Sequence, residues 1–281
     1  PRLWIASRQR RGLFRSADAQ ASHQRPYRVW LTASGKAMEA DKTISDTLVD
    51  VQARIAAACA KAGRKPDEVE IIGVTKTHGP DVVREAWEAG IRLFGENKVQ
   101  EAAWKIPESI SGPSWHLIGH LQRNKVRPAL ELFSVMHSVD SVPLLERLER
   151  IADECGHRPE ILLEVNVSGE SSKEGLKPEQ VPEAIEYALQ CRSLTLTGLM
   201  TMAPFCPDPE LARPVFAHLR TYRDRWEQEF AIGLPNLSMG MSNDYEVAVE
   251  EGATWVRLGT VLFGHRPAWR PQREDTDRWE P

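Results

Sequence analysis

The strongest constraint on this chain is an alternation: eight short apolar runs, each followed by a segment of helical period. The runs span residues 70–75, 93–95, 115–119, 133–139, 161–167, 194–202, 237–240 and 255–258. They have the length and bounds of buried strands. Helix-period segments at 80–89, 98–106, 123–130, 142–155, 178–191, 209–230 and 244–251 separate and follow them, and an amphipathic segment at 43–63 opens the series. Gly90, Gly156 and Gly252 stand just past helix ends, while Pro143 and Pro182 stand near helix starts, the placements each residue type favours. Eight such units in about 240 residues predict an α/β fold, a single TIM (β/α)8 barrel. A doubly wound sheet also alternates strand and helix but rarely needs eight units, and no Gly-x-Gly-x-x-Gly or Walker loop follows any strand.

Charge divides the chain. Residues 1–37 hold eight basic residues and the single acid Asp18; of the 36 basic and 40 acidic residues in all, 28 and 39 remain beyond, a net of −11. A body that acidic argues against nucleic acid as a partner, because phosphate contacts need a basic footprint. The first 37 residues lack apolar periodicity and are expected to lie outside the fold, with Met38 a candidate start. Residues 38–266 are expected to form the barrel, and 267–281 a polar, proline-bearing tail. Cys59, Cys155, Cys191 and Cys206 are far apart, without a CxxC pair, so reduced thiols of a cytoplasmic protein are expected. No apolar run is long enough for a membrane span. The sequon Asn166-Val-Ser168 falls at a strand end, where it reads as chance.

In a TIM barrel, chemistry sits at the C-terminal ends of the strands. Those ends carry Lys76, Glu96 and Asn97, His116 and His120, His137 and Ser138, Asn166, Thr201, Ser238 to Ser242, and Arg257 to Thr260. A lysine at a strand end facing the mouth is partly desolvated, which favours its neutral amine. Such an amine is a nucleophile toward aldehydes and suits Schiff-base chemistry. The segments Ser238-Met-Gly-Met-Ser-Asn-Asp244 and Trp255-Val-Arg-Leu-Gly-Thr260 follow strands seven and eight, the usual phosphate position of this fold. Arg257 alternates with Val256 and Leu258, so it faces the opposite way, into the barrel. It could donate to a pyridine nitrogen but not protonate it, which weakens the ring as an electron sink. Glu96, Asn97 and Asp140 could instead cap helices, as could Ser242. His116 and His120 share no helical face and lack a third ligand, so zinc is not expected. His116 is expected to line the site or pack under Trp115.

Taken together, the motifs resemble one family. Val74-Thr-Lys-Thr77, Phe94-Gly-Glu-Asn-Lys-Val-Gln-Glu101, Trp115-His-Leu-Ile-Gly-His-Leu-Gln-Arg-Asn-Lys125, His137-Ser-Val-Asp140, Asn166-Val-Ser-Gly-Glu-Ser-Ser-Lys-Glu-Gly175, Gly198-Leu-Met-Thr-Met202, Leu237-Ser-Met-Gly-Met-Ser242 and Val256-Arg-Leu-Gly-Thr260 with Phe263-Gly264 are similar to the YggS/PROSC family of pyridoxal phosphate homeostasis proteins. The resemblance runs from about residue 43 to 266 and implies a barrel like that of alanine racemase, holding pyridoxal phosphate (PLP) as a lysine aldimine. It implies Lys76 as the Schiff-base lysine, Asn97 beside the ring and Arg257 at the pyridine nitrogen. Ser242, Gly259 and Thr260 would hold the phosphate, with Ser238 and Met241 in the same loop. Lys173 matches a family lysine of less certain use. His78, where many members carry a second lysine, and His265 depart from the pattern.

The resemblance implies a carrier that maintains PLP and passes it to apo PLP-dependent enzymes, and a barrel with no second domain is expected to be a monomer. The alternatives are a weak PLP-dependent racemase or decarboxylase, and a cofactor-free class I aldolase using Lys76. Racemisation needs a proton donor opposite the lysine, a tyrosine in the alanine racemases. Tyr27, Tyr187, Tyr222 and Tyr245 fall in the leader or in helices. An aldolase would leave Arg257 without a task.

Overall fold

The computed structural model describes residues 42–170 and 174–264. Among them eight parallel strands close into a barrel in sequential order, as the alternation predicts. The first helix, α1 (Ile44–Lys61), buries Ile44, Leu48, Val51 and Ile55, and a reciprocal Thr43–Asp46 capping box fixes its start. The barrel then runs β1 (Glu70–Val74), α2 (Pro80–Ala89), β2 (Leu93–Glu96), α3 (Val99–Glu108), β3 (Ser114–Leu117), α4 (Val126–Leu132), β4 (Val135–Val139) and α5 (Val142–Cys155). Its second half is β5 (Glu160–Glu164), α6 (Val181–Gln190), β6 (Thr195–Met200), α7 (Arg213–Phe230), β7 (Asn236–Ser238), α8 (Tyr245–Glu250), β8 (Trp255–Leu258) and a last turn, α9 (Thr260–Phe263). β8 returns to β1 with Ile72 opposite Arg257, which closes the cylinder.

Two cores divide the apolar side chains. The larger lies between strands and helices and holds Phe94, Leu117, Leu163, Leu199 and Leu237 among many others. The smaller fills the barrel interior with Ile72, Val135, Leu162, Met200 and Trp255. Side chains alternate along a strand, so the interior residues fix which neighbours also point inward. From Ile72, Val135, Leu162 and Trp255 the same parity sends Val74, His137, Glu164 and Arg257 toward the mouth. The alternation with Val256 and Leu258 predicts this side for Arg257, which is 4% exposed.

The leader at 1–37, Met38, Lys173, His265 and the tail at 267–281 lie outside the described residues. The described cysteines are all free thiols. Among the described residues no helix is long and apolar enough to cross a membrane.

Candidate functional site

At the C-terminal mouth of the barrel is a cavity of about 330 Å³. Seven of the eight predicted site residues line it: Lys76, Asn97, Met241, Ser242, Arg257, Gly259 and Thr260. They come from the ends of β1 and β2, the loop after β7, and β8 with its loop. Residues 181 positions apart in the chain, Lys76 and Arg257, meet here only because β1 and β8 are neighbours.

Ser238 sits elsewhere. It ends β7, fully buried, behind the cavity wall, where it supports Arg257. The Arg257 guanidinium donates to Ser238 Oγ at 2.6 Å and to the Thr201 carbonyl at 3.0 Å. Ser238 Oγ is 2.8 Å from His137 Nδ1, His137 Nε2 is 2.9 Å from His116 Nδ1, and His116 Nε2 is 3.2 Å from Ser114 Oγ. Arginine only donates, and every buried proton here is used if each link donates in the same direction. Ser238 then gives its hydroxyl proton to His137, His137 its Nε2–H to His116, and His116 its Nε2–H to Ser114. Both imidazoles are neutral in this arrangement. Burial pushes His116 down to about 4. His137 is driven well below its ordinary value by burial, then by His116 and Arg257. His116 meets Trp255 edge to face, at 5.1 Å between centroids, and does not pack under Trp115. Trp115 lies outside the barrel against Phe94.

Burial also lowers Arg257, to about 10, against the opposing charges of Glu164 and Asp244. Glu164 is 3% exposed, and burial raises it to about 7. It was missed in the sequence because it reads as one more residue of an apolar run. Its parity with Leu162 is the signal that could have found it.

The loops after β7 and β8 interlock. The N–H groups of Gly259 and Val261 point at Ser242 Oγ, at 3.4 and 3.2 Å, while Met241 N–H donates to Asp244 Oδ1 at 2.6 Å. Asp244, not Ser242, therefore occupies the N-cap position of α8. Gly240 makes the turn possible: its φ is +91°, and a Cβ there would stand 2.5 Å from that of Ala248. Gly119 has a similar task under Asn97, where a Cβ would fall 2.4 Å from the Asn97 carbonyl oxygen.

The other polar strand ends separate. Glu96 is turned away from the mouth into a buried cluster with Lys105. His120 lies outside the cavity between Asp140 and Glu174, at 3.1 and 3.2 Å. His78 is buried against the Phe263 ring. Among the described residues no three His, Cys, Asp or Glu side chains are arranged to hold a metal ion.

A family model described as alanine racemase, N-terminal domain, matches residues 48–267. The chain is 42% identical to the pyridoxal phosphate homeostasis protein of Aquifex aeolicus, over 79% of its own length and 97% of the relative's. The chain belongs to the pyridoxal phosphate homeostasis protein family. The family member of Pseudomonas aeruginosa is 43% identical, over 82% of this chain and 98% of that one. Among solved structures, PipY of Synechococcus elongatus, with PLP bound, superposes with a TM-score of 0.70 at 38% identity, covering 79% of this chain and all of its own.

Proposed function

We propose that this chain binds pyridoxal phosphate at the barrel mouth through Lys76 and serves as a carrier that maintains the cofactor and delivers it to apo PLP-dependent enzymes. The observation that carries this reading is one cavity lined by an amine, a buried guanidinium and the two hydroxyls of Ser242 and Thr260. When bound, pyridoxal phosphate supplies an aldehyde that condenses with an amine and releases water.

The residues fit that ligand. Lys76 offers the amine on one side of the mouth. Arg257, on the neighbouring strand, is a fixed cation able to donate to a ring nitrogen and unable to give up its proton at neutral pH. An anionic oxygen beside Ser242 would meet the N–H groups now directed at its hydroxyl, with Thr260 as a further donor. Asn97 and Met241 would flank the ring, and Ser238 acts through Arg257. The names of the relatives and the PLP bound by PipY support the same assignment.

The carrier reading is favoured over catalysis because, among the described residues, no tyrosine lines the cavity. Tyr245 is buried in α8 and Tyr222 stacks on Trp226. The relatives' names also point to homeostasis. The same reading takes the chain as a cytoplasmic monomer. The test is equilibrium titration with pyridoxal phosphate, then mixing with an apo-enzyme. Saturable binding, lost in Lys76→Ala, with restoration of the apo-enzyme's activity is the expected result. Steady amino-acid turnover above that of free pyridoxal phosphate would overturn the carrier in favour of a racemase or decarboxylase.

A further inference from the structure

Lys105 is fully buried on α3, outside the barrel wall and away from the cavity. Lysine is almost never fully buried unless paired. Here the three protons of the ammonium have three acceptors: the Thr75 carbonyl at 2.7 Å, Glu96 Oε1 at 2.6 Å and Glu101 Oε1 at 2.8 Å. Two of these contacts bear on the residues either side of Lys76. Thr75 is held by its carbonyl and also by its hydroxyl, which donates to Glu96 Oε1 at 2.6 Å. Thr77 is held by its N–H, which donates to the same Glu101 oxygen that Lys105 grips, at 2.6 Å.

The backbone shows the effect of that grip. Thr77 has a φ of +69°, and the other described non-glycine residue with positive φ is Ala231 at a helix end. A β-branched residue rarely takes the left-handed conformation, and such strain persists only where the surroundings over-determine it. Stability alone does not account for the cluster. Burying an ammonium with two carboxylates is often no better than an apolar core, and Glu96 Oε2 is buried without a partner.

We propose that Lys105, with Glu101, is a positioning residue for Lys76, clamping the chain at Thr75 and Thr77 so that the Lys76 amine enters the mouth at the angle needed to reach an aldehyde. The proposal rests on the assignment of Lys76 as the capturing amine. It predicts that the clamp matters to a ligand that bonds to the amine and not to one that merely occupies the cavity.

The experiment compares pyridoxal 5′-phosphate with pyridoxine 5′-phosphate, whose alcohol cannot condense with an amine. In Lys105→Met, affinity for the aldehyde is expected to fall about tenfold, the size of one well-placed hydrogen bond, with the alcohol within about twofold of wild type. Glu101→Ala is the milder variant should Lys105→Met fail to fold, since Lys105 keeps Glu96 as its counter-ion. It should show the same selective loss. Adding Thr77→Gly to Glu101→Ala should restore part of it, because glycine takes the left-handed conformation without steric cost. Equal losses for both vitamers, or no loss for either, would overturn the clamp. Failure of the Lys76 assignment would show separately, as an unchanged preference for the aldehyde over the alcohol in Lys76→Ala.

Discussion

The two sides of the mouth are held in opposite ways. On the β1 side, Lys76 is flanked by residues fixed from outside the barrel by ions: Lys105, Glu96 and Glu101. On the β8 side, Arg257 is fixed from inside by a chain of neutral groups, Ser238, His137 and His116. A permanent cation already occupies the interior, so a second positive charge behind it would be repelled, and burial keeps both imidazoles neutral. The amine side has no such cation in the barrel and uses a charged cluster on the outer wall. Ionic support should therefore break abruptly when one member is removed, and neutral support should yield by degrees.

The largest expected effect tests the ionic side. Lys105→Met leaves the buried Glu96 and the part-buried Glu101 without their cation and should lower unfolding free energy by about 3–5 kcal/mol, measured by urea denaturation. A loss under about 1 kcal/mol would mean that the cluster is solvated.

The next effect is a pH dependence in the interior. Glu164 in the folded chain stands near 7, above the ordinary carboxyl value of 4.5. The fold thus binds its proton more tightly than the unfolded chain does, and this contribution is lost as pH rises from about 4.5 through 7. His116 runs the other way. Its folded value near 4 lies below the ordinary 6.5, so its contribution is complete above 6.5 and is lost as pH falls toward 4. Glu164→Gln removes the first contribution only. Its stability relative to wild type should rise by roughly 3 kcal/mol between pH 4.5 and 7.5, read from denaturation midpoints at each pH. A constant difference would show that Glu164 does not titrate in that window.

A smaller change sharpens the neutral side. His137→Leu leaves Ser238 and His116 each short of one partner and should cost about 1–3 kcal/mol, with weaker pyridoxal phosphate binding because Arg257 loses its backing. The smallest effect belongs to the rim. Thr260→Val should weaken pyridoxal phosphate by about 0.5–1.5 kcal/mol, the net value of one hydrogen bond, or more if the acceptor is charged. Full affinity in calorimetric titration would remove Thr260 from the phosphate site.

The barrel was legible because its periodicities are local: strand-length runs, helical spacing and punctuating glycines survive in one dimension. The cavity residues were legible for a related reason, since strand ends in this fold converge by construction. What stayed hidden depends on pairing across the structure. Lys105 looks like one charge on an amphipathic helix, and only the packing of α3 beside β2 and the chain just past β1 buries it. Ser238 reads as a phosphate-loop serine until the end of β7 places it beneath Arg257. His116 shares a strand with Trp115, yet alternation sends the two to opposite faces, and His116 meets Trp255 from across the barrel.

The central claim is that the amine closing β1 is the group that captures pyridoxal phosphate. Borohydride reduction of the protein mixed with pyridoxal phosphate, followed by peptide mass spectrometry, tests it most directly. The account predicts a phosphopyridoxyl adduct on Lys76, absent from Lys76→Ala. An adduct confined to another lysine, or unchanged labelling of that variant, would contradict it.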